Sequence, residues 1–510
     1  MSTLRREFVS YVGEGIAFAK LSSTGEVGSN SGRILKQGVL MPLSGGLGNL
    51  GAPIRDGATL PFKILDGNTE FTIESQTEDT QTDPNAGQTA ASSLVDAGYP
   101  AVTGAAASEV TIQAAENVFI PNNVVGCSPS ATSPAITDLN DNNLIWRTPP
   151  TDALQGEVLA QVASENIGAS TAATLYVNNS YGQLISETFA SAYSGTVQNQ
   201  VAFPKAASSY SSQLNQALSD NPGVVIVIGY PQSGVTLFRD FYSLYPGETP
   251  FLVTDGLRDS ALPSDVGNAM SNVQGTAPLA AGPGTEFFSK EYENAYGVEP
   301  GVFTSQAFDA TAVCLLANAA AGENNGSAIA GQMQAVANPG GEEVTPSTLA
   351  DGLAMAAEGT EVQYKGASSA IDFDENGDLK SATYELFGFQ EGGGIETIEE
   401  IDFNSDTVDD ISKVKLHNVE IKPDKVDGTT DTHRLNFTVS NLSADNGADN
   451  FTIALPDGIE VDSVSIEKSG SLSPNQPNPN NPIEFRVDPS TGGQTEVDFE
   501  VMLELSPSVG

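Results

Sequence analysis

The chain has 510 residues, too many for one compact core, because single cores stop growing near ~250–300 residues; two or three domains are expected. Its 21 Lys+Arg stand against 65 Asp+Glu, a net charge of −44 on a chain only 17% charged, so bases are missing more than acids are added. That balance leaves no basic stripe for nucleic acid, offers no run of the ~18 apolar residues that cross a bilayer, and repels itself unless counter-ions screen it, which points to a high-salt habitat.

Residues 1–33 read as a polar leader: Met1–Lys20 has the basic start of an export signal but no clean apolar stretch or cleavage site, so no export signal is assigned. From Ile34 to Leu43 the chain reads as a strand, followed by a glycine turn and a helix. The alternation continues with strand 71–75, helix 85–97, strand 101–103, helix 109–116 and a strand near 124–126. After an isolated strand at 144–147 the rhythm restarts: helix 154–165, strand 172–177, helix 182–193, strand 197–203, helix 211–219, strand 223–228, helix 233–242 and strand 250–253. Strands alternating with helices argue for βαβ units, here two doubly wound parallel sheets. Ligands of such sheets lie outside the carboxyl ends of the strands, so a cleft between two lobes is the expected site. The expected division is lobe I over 34–147 with 277–345 returning to it, and lobe II over 148–276 with 346–403. From 404 to 510 the pattern changes to short alternating strands separated by Asp-Gly and Pro/Asn runs, the mark of an all-β sandwich. Sequons begin at Asn178, Asn325, Asn436, Asn441 and Asn450, which favours an exported chain and glycosylation.

Gly46-Leu-Gly48-Asn-Leu-Gly51 imitates a dinucleotide fingerprint, with Glu74 about where a ribose-binding acid would stand. Pro42 and Ser44 separate the strand from Gly46, however, so the first glycine does not make the tight turn such sites need. A loop lining a cleft is the preferred reading. Ser128–Pro134 follows a strand with a cluster of hydroxyls, either an anion-binding nest or an ordinary helix cap; Ala106-Ala107-Ser108 repeats the arrangement one unit earlier. Asp255 stands beside Gly256 at a strand end, and either caps the next helix or holds a ligand cation. Asp372–Asp378 resembles the start of a calcium loop but has Thr383 at the twelfth position in place of a bidentate Glu, so a turn joining two strands is expected and no metal.

Cys127 and Cys314 are the only cysteines, expected as buried free thiols, and His417 and His433 are the only histidines, leaving the first 400 residues without imidazole for acid–base or metal chemistry. No hydrolase, phosphate-loop or metalloprotease motif is present. The expectation is a protein that is not an enzyme and carries no cofactor.

Taken together, Met41–Gly45, Asp79–Pro84, Ser128–Pro134, Tyr176–Gly182, Ile228–Pro231, Asp255-Gly256 and Phe373–Asp378 resemble the branched-chain amino-acid-type substrate-binding proteins of ABC importers, with the type I periplasmic-binding fold, over roughly residues 32–403. The resemblance implies that Ser108, Ser130 and Thr132 hold a ligand carboxylate while Asp255 faces an ammonium group. It further implies that Tyr181 and Tyr230 line the second lobe and that the first loop contributes Ser44 and Leu50, the latter where the family often has an aromatic residue. The segment after 404 resembles β-sandwich modules of salt-adapted archaea. The implied function is extracytoplasmic capture of a small amino-acid-like ligand, a branched-chain amino acid or related amide. The implied partners are ABC permease subunits, with cell-surface association through an anchor that the sequence does not display. A ligand-sensing ectodomain or a surface interaction protein using the same clamp is the alternative.

Overall fold

The computed structural model describes residues 32–245, 249–390 and 394–404, with side chains to Asp402, and six further strands as backbone only. The chain divides into two compact units, the boundary falling between Ile401 and Asp402.

The first stretch runs β1 (Ile34–Met41), α1 (Gly48–Leu65), β2 (Thr72–Asp79), α2 (Pro84–Asp96), β3 (Ala101–Gly104), α3 (Ser108–Ala114), α4 (Ile120–Asn122), β4 (Val125–Ser128) and β5 (Ile145–Arg147). Its five strands form a parallel sheet in the order β2-β1-β3-β4-β5. The second stretch runs α5 (Asp152–Gln161), β6 (Thr171–Val177), α6 (Ser180–Ala192), β7 (Thr196–Phe203), α7 (Ser211–Ala217), β8 (Val224–Ile228), α8 (Pro231–Leu244), β9 (Phe251–Val253), α9 (Leu262–Val266) and β10 (Val273–Pro278). There follow α10 (Thr285–Tyr296), α11 (Thr304–Ala321), α12 (Gly326–Ala330), α13 (Met333–Ala337), β11 (Glu342–Val344), α14 (Leu349–Ala357), β12 (Val362–Tyr364), β13 (Ser381–Phe389) and β14 (Ile395–Asn404). The second sheet has the order β14-β13-β10-β9-β8-β6-β7, parallel from β7 to β10, with β13 antiparallel to β10.

Local chemistry sets these elements. Val224-Val-Ile-Val-Ile228 is buried at every position, as a strand covered on both faces must be. Asp83 caps α2 by accepting from the amides of Asn85 and Ala86 at 2.9 Å, with Pro84 in the first turn. Sixteen of the 18 residues of α11 are buried, because this helix packs across β1, β3 and β4 and against α1.

The return of the chain differs from the expected division. Leu349, Leu353, Tyr364 and Phe373 share one core with Leu35, Val125 and Trp146. The stretch through Leu379 therefore stays with the first sheet, and of residues 346–403 only β13 and β14 join the second. An amphipathic helix such as α14 shows that it covers something apolar, not which of two sheets that is. The connections between lobes run side by side: the Leu279 amide donates to Thr383 O at 2.8 Å, and the Tyr384 hydroxyl donates to Thr151 O at 3.4 Å.

In the second unit, β15 (Lys415–Lys425), β16 (Asp431–Ser440), β18 (Val461–Lys468) and β20 (Glu496–Leu505) form an antiparallel sheet in the order β15-β16-β20-β18. Strands β17 (Asp449–Ile453) and β19 (Ile483–Val487) pair separately. Residues 1–31 of the 1–33 leader and the sequon at Asn441 lie outside the described residues.

Candidate functional site

One cavity lies where the carboxyl ends of both sheets converge, enclosing about 370 Å³ that is partly open to solvent. All of its lining except Phe303 comes from segments that leave strand ends. Pro42 and Leu47 follow β1, with Leu50 and Ile54 on the first turns of α1; Ala106, Ala107 and Ser108 follow β3, and Ser130 follows β4. From the second sheet come Tyr181 after β6, Tyr230 after β8, and Asp255 with Gly256 after β9. This is the crevice the parallel topology dictates.

The glycines of the first loop serve close approach. Gly45 has φ +80, and a Cβ there would lie 2.0 Å from Gln81 O; a Cβ on Gly51 would lie 1.8 Å from Pro42 O. The segment that imitates a dinucleotide fingerprint thus folds the start of α1 against its own strand and delivers Leu47 and Leu50 to the cavity.

Hydroxyls on the first sheet's side are held by the backbone. Ser108 Oγ accepts from the Ser133 amide at 3.3 Å, which leaves its own O–H to donate; the Ser130 hydroxyl donates to Ala106 O at 3.1 Å. Ala107, at the N-cap of α3, provides no side-chain acceptor, so the first-turn amides are unclaimed by a cap. Donors of this kind suit a carboxylate.

On the second sheet's side the rings of Tyr181 and Tyr230 stack 5.7 Å apart with planes 10° from parallel. The Tyr181 hydroxyl shares a 2.7 Å hydrogen bond with Thr254 Oγ1 and donates to Asp255 Oδ1 at 3.3 Å, while Asn179 Nδ2 donates to the Tyr230 hydroxyl at 2.9 Å. Burial pushes the Asp255 carboxyl up to about 6, against hydrogen bonds from the Gln155 and Tyr181 side chains. Burial, and then the Asp255 charge, raise the Tyr181 hydroxyl far above its ordinary range, so it remains a donor.

Of the residues singled out in the sequence, Leu50, Ser108, Ser130, Tyr181, Tyr230 and Asp255 line this one cavity, and two do not. Ser44 turns to the surface, its hydroxyl donating to Asp79 Oδ2 at 2.8 Å to pin the first loop. Thr132 is buried and does not line the cavity: its carbonyl accepts from the Asp152 amide at 2.7 Å, and its hydroxyl is turned to the Asp152 carboxylate. Asp152 itself is wholly buried, and burial followed by the nearby Asp255 charge raise its pKa strongly, against the Thr132 hydroxyl and the Arg147 charge. Phe303 lines the cavity from just before α11, in the left-handed region at φ 62; no motif marks it. In the Asp372–Asp378 segment, Asp374 Oδ1 accepts from the amides of Asn376 and Asp378 at 2.8 and 2.9 Å, closing a turn. Asp378 instead pairs with the buried Arg147.

Comparison with known proteins bears on this geometry. A family described as periplasmic binding protein matches residues 35–363. The chemotactic signal transduction system substrate-binding protein BasB of Halobacterium salinarum is 27% identical over 382 residues, 72% of this chain and 90% of that protein. Leu/Ile/Val-binding protein homolog 3 of Brucella melitensis is 23% identical over 365 residues, covering 70% of this chain and 91% of that protein. The crystal structure of a leucine binding protein LivK from Thermotoga maritima superposes with a TM-score of 0.63 at 23% identity, covering 73% of this chain and all of that one.

Proposed function

The chain belongs to the periplasmic binding protein family, and we propose that it is an extracytoplasmic receptor that captures a small amino-acid-like ligand between two lobes and presents it to the permease of an ABC importer. The observation that carries this reading is the placement of buried Asp255 in the same cavity as Ser108 and Ser130, the acid from one sheet and the hydroxyls from the other. A zwitterion spanning them satisfies both lobes at once, so capture and closure are one event. Leu50, Ile54 and Phe303 form an apolar wall that suits a branched aliphatic side chain, and two relatives carry leucine, isoleucine and valine in their names. Among the described residues no cluster of acids, histidines or cysteines suits a metal ion.

A second reading, a receptor whose loaded form is sensed, is favoured by the name of the Halobacterium relative. Both readings share the clamp and differ in what reads it. The high-salt habitat expected from the acidic composition, and the archaeal origin implied by the resemblance of the segment after 404, accord with that relative's source. We assign the second unit a spacer or surface-attachment role as a β-sandwich, and Asn178 and Asn325 are exposed for glycosylation.

The test is release of ligand from protein purified in molar salt, identified by mass spectrometry, followed by calorimetry with leucine, isoleucine, valine and benzoate. An aliphatic amino acid as the tightest ligand supports the proposal, and an anion without an ammonium group overturns it. Uptake of labelled ligand and swimming up its gradient, compared in a deletion strain, separate import from sensing.

A further inference from the structure

We propose that Cys127 and Cys314, free buried thiols in this structure, become joined as a disulfide when the protein folds outside the cytoplasm. They are the only two cysteines of 510 residues, come from distant parts of the chain, and meet in one place. Cys127 lies on β4 as the ladder partner of Thr103 on β3. The Thr103 hydroxyl sits 2.8 Å from that of Thr311 on α11, and Cys314 follows Thr311 by three residues, on the same helix face. Because α11 packs over both β3 and β4, the step along the helix accompanies the step from one strand to the next. Both thiols are fully buried in the same apolar cluster, among Leu35, Val125, Trp146 and Val313. Burial and then the adjoining Cys314 thiol raise the pKa of Cys127.

This placement has a chemical consequence. Neither sulfur is reactive toward solvent in the folded protein, so the bond forms while β4 and α11 are still docking. The oxidant is a disulfide-bearing oxidoreductase of the extracytoplasmic space: two S–H bonds are lost, one S–S bond forms, and the two electrons and two protons reduce the oxidant's disulfide to a dithiol. The bond would tie together two elements that build the first lobe's half of the cavity. Cys127 precedes Ser130 by three residues on the strand that delivers it, and Cys314 lies on the helix that begins directly after Phe303. Cross-linking them fixes that wall before any ligand arrives.

The full chain is to be recovered from its native cells with iodoacetamide present, denatured in fresh iodoacetamide, and mapped by mass spectrometry with and without prior dithiothreitol. We expect neither cysteine alkylated before reduction, both after it, and one peptide joining the Cys127 and Cys314 segments without reductant. Full-length protein refolded from the reduced state should melt roughly 5–10 °C below the native form. Alkylation of both cysteines in denaturant without dithiothreitol overturns the proposal, as does either cysteine linked to another chain.

Discussion

Glu109, in the first turn of α3, forms an ion pair with Lys205, which follows β7, and so joins the two lobes at a point outside the ligand cavity. Asn49 and Asp259 add a 3.3 Å hydrogen bond between the lobes. Lys205 is part-exposed and the pair is open to screening, so its contribution is about 0.2–1 kcal/mol. Lys205→Met should weaken ligand binding by roughly two- to fivefold at low salt and by less in molar salt. Calorimetry at two salt concentrations checks this; an effect that grows with salt would mean the pair is not an electrostatic latch.

Asp255 couples affinity to pH. An ammonium ligand needs the ionised carboxylate, whose pKa stands at about 6 in the empty site. Affinity should therefore be flat above about pH 7 and fall by roughly tenfold per unit below about pH 6. Asp255→Ala should cost about 2–5 kcal/mol of binding, roughly 30- to several-thousand-fold. Binding within threefold of the parent would show that the acid only caps the turn.

Stability of the empty receptor should move the opposite way. With its pKa raised from 3.8 to about 6, Asp255 in the folded state holds its proton more tightly than in the unfolded chain. Its contribution is thus full below pH 3.8 and lost as pH rises through about 6, up to about 3 kcal/mol. Asp309, buried and likewise raised to about 6, acts with the same sign. Asp255→Asn should raise the melting temperature of ligand-free protein at pH 7–8 while weakening capture. A melting temperature unchanged or lowered at that pH removes the trade-off.

Three hydroxyls that look alike in the sequence should behave differently. Ser108→Ala should weaken binding most, about tenfold, because its O–H is free to donate, whereas the Ser130 hydroxyl must first leave Ala106 O. Thr132→Val should leave affinity within about twofold, since its hydroxyl is turned to Asp152 and does not line the cavity. Titrations of the three variants rank them; a large loss at Thr132 would place the ligand deeper than the cavity described.

The chain ended after Asn404 retains both sheets of the first unit and should bind ligand with unchanged affinity. Calorimetry of the truncated and full-length proteins decides. Loss of binding would make the second unit part of the clamp.

The strand–helix alternation was legible because continuous apolar strands such as β8 and capped helices such as α2 carry their own signals. The loops leaving strand ends were legible for the same reason, and these delivered Ser108, Ser130, Tyr181, Tyr230 and Asp255 to one cavity. What stayed hidden depends on through-space neighbours. Thr132 and Ser130 are separated by a single residue, yet the chain turns between them, and only the fold shows that Thr132 faces away toward Asp152. Phe303 belongs to no strand end and owes its place to α11. The closeness of Asp152 and Asp255, from the start of α5 and the end of β9, is set by the packing of the second sheet and has no local pattern.

The chain passes between the lobes by parallel segments, at Thr148–Thr151, beyond Pro278 and before Ser381, with the last two tied by the Leu279 to Thr383 hydrogen bond and the first reached by Tyr384. Three straps fastened along one edge permit a swing about that edge and resist sliding or twisting, much as a door hung on several hinges has one way to open. Neither half can be excised, duplicated or exchanged as a continuous piece of sequence, so the two jaws are bound to be inherited together and to change specificity by substitutions at their rims.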